Sequence, residues 1–387
     1  MHWTDWRSEF PILARTTYLN SCSLGAFSRR AEQRLRAFRN EWHEYGASAW
    51  YETWMGRLDE IRGRVAAMLG GAEGEIALAA SVSAALGVFA SAVDYGGRAG
   101  AGRNRVVVSE LDFPTLAYQW MARPDVEVVR VPSDDGVTID PQRWADAVDE
   151  RTAVLATSHV FFTTGAIQDL AALAGIAHDA GALFLVDAYQ GAGQVPLHAP
   201  ATGADILITG PLKWLLGGPG LAYMWVRPEL IPELEPTTAG WFGAEDQFDF
   251  DIERFAFKHD ARRFELGTPA LHTVHTALGG QSIIDEIGVP AIRERNRSLT
   301  ERLIAAARDA GFELRVASDA DARSAIVMVA ATDPHAAVTH LAGAGIIVDA
   351  RPGYVRISPH FYNTEDELDR CVEVLSESRT GSPVSAG

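Results

Sequence analysis

Short apolar runs alternate with amphipathic segments through the middle of the chain. The runs cover residues 105–109, 153–157, 182–186 and 205–209. Continuous apolar runs of this length are typical of strands that are buried on both faces. Between the second and third run, the apolar residues of 169–181 fall on one helical face, with Asp169 as the expected N-cap and Gly181 as the C-terminal stop. The alternation predicts a parallel sheet covered by helices.

The segments on either side of this region have a different pattern. Residues 29–70 are helical in pattern, whereas short strands at 325–329 and 345–348 and a closing helix from Glu365 follow beyond residue 270. We therefore predict an α/β protein with a mostly parallel mixed sheet in a large domain and a small C-terminal α+β domain. The predicted divisions are an N-terminal arm at 1–28, the large domain at 29–268, a bridging helix with the small domain at 269–379, and a disordered tail at 380–387.

Charge and hydropathy narrow the classes of partner. The net charge is −17, from 34 basic and 51 acidic residues. This argues against a nucleic-acid partner, because the neutralisation of phosphates requires a basic surface. No run approaches the roughly 18 apolar residues of a membrane span, and the first residues lack the apolar core of a signal peptide. We expect a cytoplasmic protein with no membrane partner.

Neither the cysteines nor the histidines predict a metal site, although His272 and His275 are three residues apart, a spacing that metal ligands on a helix can have. Cys22 and Cys371 lie far apart, and His272 and His275 share a predicted helix without a third ligand near them in sequence. We predict no metal ion and no disulfide framework. We interpret Cys22 as a buried small side chain rather than as a reactive thiol.

Each of the four apolar runs ends close to a chemically distinctive residue. Phe113 follows the first run, His159 the second and Asp187 the third, and Lys213 lies shortly after the last. Ligands gather at the carboxyl ends of parallel strands, so we expect these four side chains to meet in one site.

A lysine and a carboxylate in such a site indicate a carbonyl cofactor. A lysine amine forms a Schiff base with an aldehyde, and a buried carboxylate keeps a pyridine nitrogen protonated. We therefore predict that Lys213 carries pyridoxal 5'-phosphate and that Asp187 faces its ring nitrogen. Phe113 or His159 would stack on the ring. The phosphate needs N–H groups and hydroxyls at a helix start, which we place at Ser81, Val82 and Ser83.

The order of these features resembles the class V aminotransferase family of fold-type I pyridoxal phosphate enzymes, which includes cysteine desulfurases, kynureninases and isopenicillin N epimerase. The resemblance extends from residue 18 to residue 368. Asp187-Ala-Tyr-Gln190 resembles the family's Asp-x-x-Gln, which implies that Gln190 lies near the phenolic oxygen of the cofactor. Val355-Arg-Ile-Ser-Pro resembles the segment whose arginine, Arg356 here, holds the substrate α-carboxylate.

The same resemblance implies further cofactor contacts. Residues 262–269 are similar to an Arg-Phe-Glu-x-Gly-Thr-Pro segment, whose threonine, Thr268 here, would reach the phosphate of a neighbouring subunit. Trp241 belongs to a kynureninase-like Trp-Phe-Gly, and Thr209 closes the strand that leads to the lysine loop. The resemblance thus implies a homodimer with shared active sites.

Departures from the family pattern affect the expected reaction. The loop at 358–361 lacks the nucleophilic cysteine of the desulfurases, and Phe113 stands where those enzymes stack a histidine. Kynureninases place a tyrosine before the lysine and a histidine after the aspartate, where this chain has Leu212 and Gln190. Both departures move the chain away from the two best-known reactions of the family.

We therefore expect an enzyme that forms an external aldimine with an α-amino acid, followed by transamination or Cβ-lyase chemistry. Lys213 would move the α-proton, and Asp187 and His159 are the other catalytic candidates. A kynureninase-type hydrolase is the alternative, with a cysteine or selenocysteine desulfurase below it. A non-catalytic binding protein of the same fold is disfavoured, because such a protein is expected to lose Lys213 or Asp187.

Overall fold

The computed structural model describes residues 2–96 and 102–380. The strands, in chain order, are β1 Thr17–Tyr18, β2 Ile76–Ala79, β3 Arg105–Ser109, β4 Glu127–Val131, β5 Thr152–Ser158, β6 Leu183–Asp187, β7 Ile206–Thr209, β8 Ala222–Val226, β9 Leu314–Arg315, β10 Val327–Ala330, β11 Ile346–Ile347, β12 Asp349–Arg351 and β13 Tyr354–Ile357. The α-helices are α1 Arg29–Tyr45, α2 Met55–Leu69, α3 Val82–Ala92, α4 Pro114–Met121, α5 Pro141–Ala147, α6 Leu170–Asp179, α7 Leu271–Ile287, α8 Val289–Asp309, α9 Pro334–Gly343 and α10 Glu365–Thr380.

Seven strands form the central sheet, in the order β2-β8-β7-β6-β5-β3-β4. β8 runs antiparallel to its neighbours β2 and β7, and the other neighbouring pairs are parallel. Successive residues of β7 belong to different apolar clusters, Leu207 to the one shared with α2 and Ile208 to the one shared with α3. The sheet is therefore covered on both faces, which confirms the predicted α/β fold with a mostly parallel mixed sheet.

A second sheet, with the antiparallel order β12-β13-β10-β9, forms the C-terminal region. Leu303 of α8, Leu341 of α9 and Leu368 of α10 pack in one apolar cluster with Val355 of β13. Gly288 separates α7 from α8 and has a φ of +83°, which a residue with a Cβ rarely adopts. The C-terminal region is α+β, as the sequence predicted.

The N-terminal segment lies against both parts of the molecule. β1 pairs in parallel with β11 of the C-terminal region. Further along, the Gly25 N–H donates to the Leu212 carbonyl oxygen at 2.9 Å. A Cβ at Gly25 would lie 2.1 Å from the carbonyl oxygen of Lys213, so only glycine permits this approach. The segment is therefore packed directly onto the loop that carries the lysine.

The strong apolar runs of the sequence form β3, β5, β6 and β7, and the 169–181 segment forms α6. The Asp169 carboxylate accepts a hydrogen bond from the Ala172 N–H and caps α6 as predicted. The strands β2, β4 and β8 of the central sheet were not predicted from the sequence. Residues 381–387 of the predicted tail lie outside the described residues. No helix within 2–96 and 102–380 is long and apolar enough to cross a membrane.

Candidate active site

A cavity of about 400 Å³ lies where the carboxyl ends of the parallel strands meet the N-terminal segment and the small sheet. It is within the size range of small-molecule sites. Its walls come from the ends of β5 and β6, the loops after β3 and β7, the start of α3, and β12 and β13. The predicted site residues that line it are Lys213, Asp187, Gln190, Phe113, Ser81, Val82, Ser83 and Arg356.

Lys213 lies between two aromatic rings in the loop after β7. Its Nζ is 4.7 Å from the centroid of the Tyr189 ring and 6.0 Å from that of Phe113. Burial lowers the pKa of Lys213 to about 8, although Cys22 and Asp187 act in the opposite direction. Part of the amine is therefore uncharged near neutral pH, which is the form that reacts with an aldehyde.

Asp187 ends β6 and is 6% exposed. One oxygen, Oδ1, accepts a hydrogen bond from the Tyr189 N–H at 2.9 Å. Burial raises the pKa of Asp187 to about 6, opposed by that hydrogen bond and by Lys213. The cavity therefore holds a carboxylate whose charge is poorly solvated and which would be stabilised by a proton donor.

The small sheet brings two guanidinium groups to the cavity. Arg356 of β13 is 2% exposed and donates to Asp349 Oδ2 at 2.6 Å and to the Ser23 hydroxyl at 2.8 Å. Arg351 of β12 also lines the cavity and pairs with Asp349 at 2.8 Å. Because one carboxylate is shared by two guanidinium groups, this wall has a surplus positive charge.

The first turn of α3 forms the opposite end of the cavity. Ser81 caps the helix, since its Oγ accepts a hydrogen bond from the Ala84 N–H at 3.1 Å. The Ser83 hydroxyl lies 2.6 Å from that of Thr115, at the start of α4. N–H groups at a helix start, together with hydroxyls, bind phosphate groups well.

Phe113 and Gln190 complete the predicted wall. Phe113 is 46% exposed, and its ring meets Phe162 edge-on at 5.2 Å. The Gln190 side chain donates to the Cys22 carbonyl oxygen at 3.0 Å and accepts from the Trp214 indole N–H at 2.8 Å. Gln190 thus joins the N-terminal segment to the residue after the lysine, and one hydrogen of its NH2 group is left for a ligand.

The structure does not bring His159 to the cavity, contrary to the expectation from its strand-end position. Ser158 lines the cavity, and side chains alternate along a strand, so the next residue points away. The His159 ring packs against Gly191, where a Cβ would lie 2.2 Å from Nδ1. Burial lowers the pKa of His159 to about 4. The neutral ring therefore fills space beside the site, and of the two residues predicted to stack on the cofactor ring only Phe113 lines the cavity.

Three other predicted cofactor contacts lie away from this cavity. Thr209 is fully buried, and its hydroxyl donates to the Ala188 carbonyl oxygen at 3.3 Å. Thr268 is exposed, and Trp241 lies in a separate surface pocket beside Phe250. Thr209 thus serves the sheet, whereas Thr268 and Trp241 are available only to a ligand or chain outside this cavity.

Several cavity residues were missed by sequence reasoning. Arg351, Asp349 and Ser23 form the charged wall with Arg356, and Tyr189 faces the lysine. Arg351 carried a usable signal: it stands on the strand before Arg356, two residues from Asp349 and therefore on the same face. No sequence signal identified Tyr189, because the residue type alone does not show which way a side chain points in the loop after a strand.

The donor set fits pyridoxal phosphate. Lys213 offers an amine, Asp187 a buried carboxylate with unfilled acceptor capacity, and the α3 start N–H groups and hydroxyls. Phe113 adds an aromatic face to the same cavity, which suits a flat ring. All these groups come from one chain, within one cavity.

Comparison with known proteins gives a consistent result. The aminotransferase class-V family profile matches residues 29–371. An uncharacterized aminotransferase of Bacillus subtilis, YcbU, is 33% identical over 96% of this chain and 97% of its own length. A kynureninase of Bacillus thuringiensis is 28% identical over 96% of this chain and 90% of its own. Among solved structures, a variant of C-DES with glycine covalently linked to the pyridoxal phosphate cofactor superimposes with a TM-score of 0.87 at 18% identity, covering 96% of this chain and 99% of that one.

Proposed function

This chain belongs to the aminotransferase class-V family of pyridoxal phosphate-dependent enzymes, and we propose that its reaction is transamination or Cβ-lyase cleavage of an α-amino acid. The observation that supports this best is the meeting of the Lys213 amine, the Asp187 carboxylate and the Arg351–Arg356 wall in one cavity. The lysine and carboxylate suit the cofactor, and the guanidinium groups suit an amino-acid carboxylate.

In this proposal each cavity residue has a distinct task toward the cofactor. Lys213 would hold its aldehyde carbon, Asp187 would face its ring nitrogen, and Phe113 would lie against its ring. Ser81, Val82 and Ser83 would hold the phosphate. When bound, pyridoxal phosphate supplies an electron sink for the charge that develops when a bond to the α-carbon breaks.

Lys213 also moves the α-proton once the substrate amine has taken its place. Its Nζ would accept the proton from the α-carbon and would then deliver a proton to another carbon atom in transamination, or to the leaving group in Cβ-lyase cleavage. A pKa of about 8 suits both steps, because a base and acid work best when the pKa lies near the operating pH. Arg356 holds the substrate carboxylate meanwhile, so that the α-carbon stays within reach of Nζ.

We propose that the enzyme is a homodimer in which Thr268 and Trp241 serve the neighbouring subunit's site. Both lie outside this chain's cavity. Around Trp241 lie exposed apolar side chains, including Phe250 at 73% and Ile252 at 99% exposure. Clustered apolar residues with this exposure are typical of a surface covered by another protein chain.

Two narrower reactions are distinguished by single residues. Leu212, which lines the cavity, stands where the kynureninase pattern has a tyrosine, so a kynureninase-type hydrolysis would lack that phenol. Cys22 favours a second candidate, the release of sulfur from cysteine. It lines the same cavity and acts electrostatically on Lys213, so the site contains a thiol although the C-terminal loop has none.

The cofactor assignment is tested through the two lysines of the chain, Lys213 and Lys258. We expect wild-type protein to show a visible absorption band, and borohydride reduction with peptide mapping to label Lys213. The Lys213→Ala variant loses the band, and amino-acid turnover falls about 10²–10⁴-fold because its general base is missing. Lys258→Ala is the matched control and keeps both. A colourless wild type that cannot be reconstituted with pyridoxal phosphate contradicts the proposal.

The reaction itself is tested by its products. Wild-type protein is incubated with single amino acids, with and without a keto-acid acceptor, and keto acid, alanine and sulfide are measured. Keto acid formed only with an acceptor indicates transamination, and keto acid without one indicates a Cβ-lyase. Alanine and a persulfide on Cys22 from cysteine, both lost in Cys22→Ser, would replace the proposal with the second candidate.

A further inference from the structure

Asp112, in the turn after β3, is a buried carboxylate to which the proposed function gives no role. It is 7% exposed and immediately precedes Phe113. Its Oδ2 accepts hydrogen bonds from the N–H of Ser109 at 2.8 Å and from the hydroxyl of the same residue at 2.9 Å. Its Oδ1 accepts from the Ser158 N–H at 2.7 Å and the Thr157 hydroxyl at 3.0 Å. The carboxylate therefore joins the ends of β3 and β5.

The hydrogen bonds around Asp112 favour its charged form. Two of the partners are backbone N–H groups, which only donate. The Thr157 hydroxyl oxygen accepts from the Gln168 side chain at 2.8 Å, and the Ser109 hydroxyl oxygen accepts from the Leu111 N–H at 3.2 Å. Each hydroxyl hydrogen is thereby directed at Asp112. Burial raises the pKa of Asp112, and the hydrogen bonds from Ser109 and Ser158 act in the opposite direction by stabilising the carboxylate.

Asp187 has a much poorer set of partners on the neighbouring strand. Ser158, which donates to Asp112, is paired with Asp187 in the register of β5 and β6. Within the described residues, the Asp187 carboxylate accepts one hydrogen bond, from the Tyr189 N–H. The charged groups that act on Asp187 are Lys213, which favours its ionised form, and Asp112, which disfavours it. The two carboxylates are thus close but unequally solvated.

We propose that Asp112 is a positioning residue whose fixed negative charge strengthens the hold of Asp187 on the proton at the cofactor's ring nitrogen. The inference rests on the proposed role of Asp187. When two neighbouring carboxylates have unequal environments, the one with more hydrogen-bond donors stays ionised. Its charge then raises the proton affinity of the other carboxylate. Here the carboxylate of Asp187 lines the cavity, whereas the more fully hydrogen-bonded carboxylate of Asp112 is not among the residues that line it.

Solid-state ¹⁵N NMR of the holoenzyme tests this inference, with pyridoxal phosphate labelled at the ring nitrogen and the pH varied. Asp112→Asn removes the charge at constant size. We expect the pH at which the nitrogen loses its proton to fall by about one unit, a shift typical of a nearby charge. Ser109→Ala removes a hydrogen bond from the same β3–β5 connection but keeps the charge, and should titrate as the wild type does.

The outcomes separate this inference from the proposed function. Asp187→Asn is the positive control and should leave the nitrogen unprotonated at neutral pH. If it does not, or if no cofactor binds, the proposed function fails. If Asp187→Asn behaves as expected but Asp112→Asn titrates like the wild type, only the role of Asp112 is overturned. A shift as large in Ser109→Ala would also overturn it, because the effect would then be structural. Asp112→Ser carries the same expectation should Asp112→Asn not fold.

Discussion

Lys213 and Asp187 are ionisable groups removed from water, and burial moves their pKa values toward each other. The pKa of Lys213 falls to about 8 and that of Asp187 rises to about 6. Both shifts disfavour the charged form of the group. A ligand that supplies hydrogen bonds or an opposite charge in place of water would therefore stabilise each group. A site of this kind lowers the free energy of unfolding of the empty protein, and ligand binding raises it again.

Replacement of Asp187 should therefore stabilise the cofactor-free protein at neutral pH. Well below about pH 4 the carboxyl is protonated in both the folded and the unfolded protein, so its burial does not cost the energy of desolvating a charge. Above pH about 6 it is ionised in both states, and the folded state bears the full cost. A rise from 3.8 to about 6 corresponds to about 3 kcal/mol at 1.36 kcal/mol per unit.

We expect the free energy of unfolding of Asp187→Asn to exceed that of the wild type by an amount that grows between pH 4 and 6 and then stays constant. Urea denaturation of the cofactor-free proteins at several pH values measures this difference. A difference that does not change with pH would show that the folded-state pKa of Asp187 is not raised.

The two arginines of the charged wall should respond differently to replacement by lysine. Arg356 is buried with three hydrogen-bond acceptors, the carbonyl of Phe162, the Ser23 hydroxyl and Asp349. Loss of a charged hydrogen bond to the substrate costs about 1.5–3 kcal/mol, so Arg356→Lys should raise KM about 10–100-fold. Arg351→Lys should match that effect only for substrates with a second anionic group. Steady-state kinetics decide, and a fall in kcat with KM unchanged would contradict the assignment.

At the scale of elements, the lysine loop is held in place by segments distant in sequence. The Gly25 N–H bonds to Leu212, and Gln190 connects Cys22 with Trp214. Leu216, which follows, has a φ of +59°, a backbone conformation that few non-glycine residues adopt. The position of the lysine thus depends on the packing of the N-terminal segment.

Gly25→Ala should disturb that packing without touching any ionisable group. The added Cβ would lie 2.1 Å from the Lys213 carbonyl oxygen, and overpacking of this kind costs about 1–3 kcal/mol. Weaker pyridoxal phosphate binding should accompany the loss of stability. Gly56→Ala, on α2 with open space around it, is the control and should gain about 0.5–1 kcal/mol. Denaturation curves and cofactor titration measure both effects, and unchanged cofactor affinity in Gly25→Ala would refute the dependence.

At the scale of the whole molecule, the surface around Trp241 exposes several large apolar side chains that the packing of this chain does not cover. Phe250, Ile252 and Phe255 are all more than half exposed. The net charge of −17 opposes non-specific association, and clustered apolar side chains with this exposure favour a specific partner. In the proposed homodimer, a second copy of the chain covers this surface, and Thr268 of each subunit reaches the neighbouring site.

Charge introduced into this surface should separate the subunits. We expect the wild type to sediment as a dimer and the double variant Phe250→Asp and Ile252→Asp to sediment as a monomer at the same concentration, because a buried unpaired charge is costly. Ala336→Asp on α9 adds a charge elsewhere on the exposed surface and should leave the dimer intact. Sedimentation equilibrium distinguishes the species, and a dimeric double variant would exclude this surface as the interface.

The sequence by itself determined the fold class and the chemistry at the strand ends. Apolar runs buried on both faces predicted the central strands, and Lys213 and Asp187 follow two of them, where ligands bind in parallel sheets. Residue type was informative there because the carboxyl ends of parallel strands are where ligands bind, and an amine and a carboxylate both suit pyridoxal phosphate.

Only the tertiary structure decided which neighbours face the cavity. In the structure Ser158 lines the cavity and His159 does not, and Arg351 lies beside Arg356. Asp112 accepts hydrogen bonds from several donors, whereas Asp187 accepts one. These outcomes depend on strand alternation, register and contacts between segments more than 100 residues apart, such as that of Arg356 with Phe162. Local sequence does not predict such contacts. It determines the secondary-structure preference of each segment, but not which distant segments pack against it.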